Sequence, residues 1–168
     1  LNLQMDNLRK DEFLSNLDRG TVFTPNIDHL MQLQKDRAFY EAYQRADYRL
    51  CDSRIIQLMS AYFFSYHIQE QLAGSDMFPA FCAFHKHNSD RIRIFLLGGT
   101  EKGVKKAQKN INEQNETLLV VGSYSPPFGF EDDKEENEKI LRLIQQSSAN
   151  VLAVGVGAPK QELWIDAH

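Results

Sequence analysis

The residues best suited to chemistry lie in Leu152–Trp164, which reads L-A-V-G-V-G-A-P-K-Q-E-L-W. An apolar, β-branched run passes into Gly155-x-Gly157, then Pro159, then a helical pattern opening on Lys160-Gln161-Glu162. A strand that ends this way at a helix start can hold an anion. Glycines let backbone N–H groups come close, and the helix N-terminus adds partial positive charge. Lys160 supplies a full charge, while Gln161 and Glu162 can hydrogen-bond a sugar or a base. Pro159 suits the first helical turn, where no N–H is needed. A second glycine turn, Gly98-Gly99-Thr100, follows the strand-like run R-I-R-I-F-L-L. Neither turn is a Gly-x-Gly-x-x-Gly fingerprint or a Walker loop, and either alone reads equally well as a tight turn. Together, and with Pro-Lys-Gln-Glu attached, they favour a nucleotide diphosphate.

Asp52 stands between a short strand pattern, Y-R-L-C, and a helical pattern that starts at Arg54. Two roles are open to it: helix N-cap, or a carboxylate held as a general base. Thr24 and Asn26 follow another short strand, Thr21–Thr24, and leave it on the same side. They too can cap a helix, and Asn26 is a good N-cap for one starting near Ile27. Asp76, after Gly74-Ser75, reads as the cap of a helix over Met77–His87. His29, His67, His85, His87 and His168 form no ligand constellation, so no metal site is expected. No Gly-x-Ser-x-Gly or Cys/His pairing suggests a covalent nucleophile.

The elements that must position these groups alternate between strand and helix. Helical patterns cover Leu1–Asp18, Ile27–Arg45, Arg54–His67, Met77–His87, Glu101–Gln114, Glu131–Ser147 and the chain from Lys160 onward. Strand patterns cover Thr21–Thr24, Asp47–Cys51, Arg91–Leu97, Thr117–Val121 (closed by Gly122) and Asn150–Val156. In Arg54–His67, the spacing of Ile55, Ile56, Leu58, Met59 and Phe63 predicts a core-facing helix. Ser123–Phe130 reads as a loop by its Pro and Gly content. The acidic run Glu131–Glu136 suits a helix first turn. Such alternation specifies an α/β fold: a Rossmann-like, mainly parallel sheet flanked by helices, in a single domain over residues 19–168 behind an N-terminal helical arm at 1–18. Ligands of such sheets bind beyond the carboxyl ends of the strands. That rule gathers Thr24, Asn26, Asp52, Gly98, Gly99, the loop from Tyr124, and Gly155–Glu162 at one crevice.

Composition narrows the classes. The 168 residues are 42% hydrophobic and 25% charged, which fits a soluble globular domain with a real core. A net charge of −4 argues against nucleic-acid binding. Cys51 and Cys82 have no pairing or metal spacing and read as free thiols. No apolar run is long enough to span a bilayer, and Leu1–Asn7 is too polar for a signal peptide.

T-P-N-I-D-H (Thr24–His29), A-D-Y-R-L-C-D (Ala46–Asp52), G-S-D (Gly74–Asp76), F-L-L-G-G (Phe95–Gly99) and V-G-V-G-A-P-K-Q-E-L-W-I (Val154–Ile165) resemble, in order and spacing, the WecG/TagA/CpsF glycosyltransferases. The resemblance runs from about Thr21 to the end, and its most specific part is the Gly-x-Gly-x-Pro-Lys-Gln-Glu segment. It implies an inverting, metal-independent transferase without a cofactor. The enzyme would move an N-acetylmannosamine-type sugar from a UDP donor to a polyprenyl-diphosphate-linked acceptor in teichoic acid or other cell-surface polysaccharide synthesis. It also implies a general-base role for Asp52, with Thr24 and Asn26 holding sugar or acceptor. Asp76 and Tyr124 would join the substrate residues. Gly155, Gly157, Lys160, Gln161 and Glu162 would line the UDP side, with Gly98 and Gly99 near the diphosphate or ribose. The location implied is cytoplasmic, peripheral on the inner face of the membrane. Relatives make that contact through a basic C-terminal tail, which is read as absent after His168; a homo-oligomer is compatible. Two positions depart from the family pattern: Ser53 stands where a glycine usually follows the aspartate, and Gln71 stands near the place of an arginine. These departures motivate a second reading, a non-catalytic nucleotide-sugar binder. A third, a nicotinamide-dependent oxidoreductase, is weakened by the absence of a first-strand fingerprint.

Overall fold

The computed structural model describes residues 3–63, 67–88 and 91–168. Backbone contacts gather into two compact units, Leu1–Ala80 with Glu162–His168, and Phe81–Gln161. Every strand pairing among the described residues is parallel, in a two-stranded and a three-stranded sheet flanked by helices, which is the α/β class expected.

The first unit is organised on β1 (Val22–Phe23) and β2 (Tyr48–Arg49), paired in parallel. The ladder is longer than the strands, because Leu50 N–H donates to the Phe23 carbonyl and Asp52 N–H to the Pro25 carbonyl, at 2.9 and 3.1 Å. The expected helix over Leu1–Asp18 is confined to α1 (Lys10–Asn16). Asp6 ahead of it bonds along β2 instead: its N–H donates to the Arg49 carbonyl and its carboxylate accepts from Arg49 N–H at 2.7 Å. The single helix expected over Ile27–Arg45 is two, α2 (Ile27–Gln32) and α3 (Arg37–Arg45). The break comes where Asp36 accepts from Phe39 N–H and so begins a new helix. Asn26 caps α2, as its position predicts. Phe23, Phe39 and Tyr43 form an aromatic core, with both partners 5.0 Å from the Tyr43 ring.

In α4 (Arg54–Phe63) the expected orientation is reversed. Gln57 and Ser60 are buried, while Ile55, Leu58, Met59 and Phe63 are about half or more exposed. Backbone demand explains the reversal. Gln57 Nε2 donates to the Ile68 and Gln69 carbonyls, and Ser60 Oγ accepts from Ile68 N–H, which ties down the returning chain. That chain adds an edge contact, Leu72 N–H to the Cys51 carbonyl at 2.8 Å. Of the expected Arg54–His67 helix, residues 64–66 lie outside the described residues and His67 is not helical. The last helices here are α5 (Gly74–Phe84) and α8 (Lys160–Ala167). Pro159 stands one residue ahead of α8, in a turn, rather than within its first turn. α5 starts three residues earlier than expected, so Asp76 lies in its first turn and does not cap it.

The second unit places β3 (Ile94–Gly98) between β4 (Val120–Tyr124) and β5 (Val151–Gly155), with α6 (Glu101–Asn115) and α7 (Lys134–Ser147) as the connecting helices. β3 is buried throughout, as a central parallel strand must be. The fourth strand is displaced from the expected Thr117–Val121 and runs through Gly122. Asn112 fixes its start by bonding both Val120 N–H and its carbonyl. Gly122 is needed there because a Cβ would lie 2.7 Å from the Phe95 ring. The acidic run begins with a 3-10 turn at Phe130–Asp132, and α7 starts only after its cap, Asp133. Burial pushes the free Cys82 thiol up to about 11, and Cys51 is also free and buried.

Gly98 and Gly99 differ in what they permit. Gly98 has φ +131° and a Cβ there would collide with the Gly155 carbonyl, whereas Gly99 has φ +66° and open space around it. Gly98→Ala is therefore expected to destabilise by more than about 2 kcal/mol, and Gly99→Ala by about 1. Urea unfolding of both variants checks this; equal midpoints would show that the Gly155 contact imposes no constraint.

Candidate functional site

The first unit collects the candidate base. The β1–β2 register carries Thr24 and Asn26 alongside the chain that ends at Asp52. The Gly74 N–H, at the start of α5, lies near the Asp52 carboxylate and favours its charged form. The adjacent α4 takes its cap from Ser53, whose Oγ accepts from Ile56 N–H at 3.3 Å. Gly74 also passes tightly by Thr24: a Cβ would lie 3.0 Å from Thr24 Oγ1. Burial raises the Asp52 carboxyl above its ordinary 3.8; the Gly74 N–H and the His29 ring oppose the rise, and the Asp76 charge adds to it. Gln71 stands beside this turn, its Nε2 donating to the Asp52 carbonyl at 3.4 Å.

Three neighbours had no local signal strong enough to single them out. His29 closes the T-P-N-I-D-H segment, and its N–H is the one that Asn26 caps. Its Nδ1 is 2.8 Å from the Tyr43 hydroxyl. Burial, and then the charges of Glu162 and Asp52, push the Tyr43 phenol far above its usual range, so it is neutral. Glu162 is buried in this unit rather than on an open nucleotide-facing edge. Gly74 is the third, its role set by a chain crossing that spacing does not reveal.

The second unit collects the glycine turns. Gly99 N–H donates to the Gly155 carbonyl at 3.2 Å, and the Gly99 carbonyl accepts from Ser125 Oγ at 2.6 Å. Gly157 N–H donates to Gln161 Oε1 at 3.3 Å, which folds the Gln161 side chain back over the turn. Lys160 Nζ is paired with Glu131 at 2.6 Å and lies 4.7 Å above the Phe128 ring, an aromatic with full exposure. The Lys160 bond holds the Glu131 carboxyl below its ordinary value. Tyr124 is the last residue of β4 rather than part of the loop, and its hydroxyl donates to Glu136 at 2.5 Å and accepts from Lys139. Among the described residues, no group of three His, Cys, Asp or Glu side chains is placed to hold a metal ion.

A parallel α/β chain with paired glycine turns and a half-buried strand-end carboxylate belongs to the class of folds that bind ligands beyond their strand ends. The model of the WecG/TagA/CpsF glycosyl transferase family matches residues 1–168, the whole chain. The protein belongs to that family.

The Asp52 shift has a stability consequence. A carboxyl raised in the folded state favours folding while protonated; that contribution is complete below the ordinary 3.8 and is lost as pH rises through the raised value. Asp52→Asn keeps an oxygen beside the Gly74 N–H and removes the half-buried charge. It is expected to melt at a higher temperature than the native chain at neutral pH, with the gap closing as pH falls toward 4. A native chain more stable than Asp52→Asn at pH 7 would contradict the burial argument.

Proposed function

We propose that this protein is an inverting glycosyltransferase that moves an N-acetylmannosamine-type sugar from a UDP donor to a polyprenyl-diphosphate-linked acceptor, in cell-surface polysaccharide or teichoic acid synthesis. The observation that carries the reading is the Asp52 carboxylate. It is half-buried, lies beside the Gly74 N–H, and is raised in proton affinity near Thr24 and His29. Family membership supplies the reaction class.

In the proposed step the acceptor hydroxyl oxygen attacks the anomeric carbon from the face opposite the nucleotide. Its proton passes to Asp52, and the bond from the anomeric carbon to the β-phosphate oxygen breaks, with the electron pair leaving on UDP. A base with raised proton affinity and fixed orientation suits this transfer, and such a base contributes about 10²–10⁴-fold in rate. Thr24 and Asn26, with Asp76 at the start of α5, hold the sugar or acceptor. On the donor side, Gly98, Gly99, Gly155 and Gly157 offer close backbone approach, and Lys160 neutralises the departing diphosphate. Gln161 completes the donor contacts, and Tyr124 is positioned by Glu136 and Lys139. Ser53 does not weigh against turnover, because its side chain turns to cap α4.

Two measurements test the reading. UDP release from UDP-N-acetylmannosamine with a soluble lipid-diphosphate-linked sugar acceptor is expected, with Asp52→Asn slowing it by at least about 100-fold. A rate within threefold of native would remove Asp52 as the base, and UDP binding without any release would identify a nucleotide-sugar binder instead. Glu131→Gln frees Lys160 from its carboxylate and is expected to tighten UDP binding by up to about fivefold, the range of a partly exposed ion pair. Titration calorimetry reads this; unchanged or weaker binding would take Lys160 out of the donor contacts.

A further inference from the structure

α4 leaves the strand end directly after Asp52-Ser53 and turns its apolar side to solvent. Ile55, Leu58, Met59, Tyr62 and Phe63 are 56, 51, 46, 84 and 75% exposed. Their spacing of three and four places them on one stripe, so this is a continuous face rather than scattered surface residues. The protein-facing side is fixed independently by Gln57 and Ser60, so the helix cannot roll its apolar side inward without breaking their bonds to Ile68 and Gln69.

Size and charge decide what covers the face. A ten-residue helix is about 15 Å long, and a stripe about 10 Å wide along it offers only a few hundred Å², short of the ~800 Å² each partner contributes to a stable protein pair. A bilayer needs no complementary surface. Arg54 is the one charged residue of α4, so in a chain of net charge −4 this helix carries a positive charge and no carboxylate to repel anionic headgroups. Tyr62 joins an apolar ring to a polar tip, which suits the water–hydrocarbon boundary. No helix among the described residues is long and apolar enough to cross a membrane, so any contact through α4 lies in the interface plane.

We propose that α4 is a docking helix that inserts Ile55, Leu58, Met59, Tyr62 and Phe63 into the surface of an anionic bilayer. The inference rests on the lipid-linked acceptor proposed above: α4 begins two residues after Asp52, so its docking sets the base at the level where the acceptor's diphosphate-linked sugar emerges.

The full chain is mixed with acceptor-free vesicles of equal parts phosphatidylethanolamine and phosphatidylglycerol, and binding is read by co-sedimentation beside an L58Q/F63Q double variant. Native protein is expected to bind and the variant to bind at least about tenfold more weakly. The variant's melting temperature is expected to be unchanged, because both side chains are exposed. A native chain that does not bind, or a variant that binds equally well, overturns the proposal. So does a native dimer that the variant dissociates without any vesicle binding, which would make a second copy the occupant. Transfer to a short-chain, water-soluble acceptor without vesicles separates this from the catalytic reading, and the variant is expected to retain it. If vesicle binding depends on Leu58 and Phe63 while soluble transfer fails, docking stands and the transferase reading falls.

Discussion

The placement of the Gly74 N–H beside the Asp52 carboxylate is the constraint on which the first unit turns. A helix start leaves N–H groups unfilled, and a carboxylate leaving a strand end needs a donor when half-buried. Each solves the other's problem, but only if the chain after α4 returns beside β2. That return is held by Leu72 on Cys51 and by Gln57 and Ser60 on Ile68 and Gln69. A side chain at Gly74 would press on Thr24, with its Cβ 3.0 Å from Thr24 Oγ1. The orientation of α4, the early start of α5 and the closeness of Thr24 to Asp52 are thus consequences of one crossing.

The second unit is governed by backbone approach rather than by a charge. β3 is buried on all sides, so its neighbours must come close, and glycine stands where they do: Gly122 under Phe95, and Gly98 against the Gly155 carbonyl. The glycines that suggest a phosphate cradle are therefore partly structural. Gly99 and Gly157, with positive φ and nothing within contact range of a Cβ, have no such packing reason. Near them stands Lys160, whose partner Glu131 comes from the segment after β4.

Much of this was legible in the sequence because strand ends, caps and glycine turns are local. Asn26 caps α2 where its residue type and position predict, and the alternation of patterns is enough to specify parallel pairing. What was not legible depends on contacts distant in sequence. Asp52 reads as a cap for α4 or a free carboxylate, and it stands beside the start of α5 because of a crossing that no spacing encodes. His29 and Tyr43 lie 14 residues apart on two different helices, and only the break at Asp36 lets their side chains meet. Leu118 and Leu119 have the residue type of a strand, but the fourth strand starts after them, where Asn112 clamps Val120.

α4 carries the most general point. Helical periodicity identifies which side chains share a face, but it is silent on which face points inward. The usual inference sends the apolar face to the core, because burying it is worth about 25 cal/mol for each Å². Here the opposite face carries Gln57 and Ser60, which fill three backbone hydrogen bonds of the returning, part-buried segment at Ile68 and Gln69. Each such bond contributes about 0.5–1.5 kcal/mol net, so three together offset part of the burial that the apolar side chains forgo. The helix settles where the polar demand is satisfied, and the apolar demand is left for something outside the chain to meet.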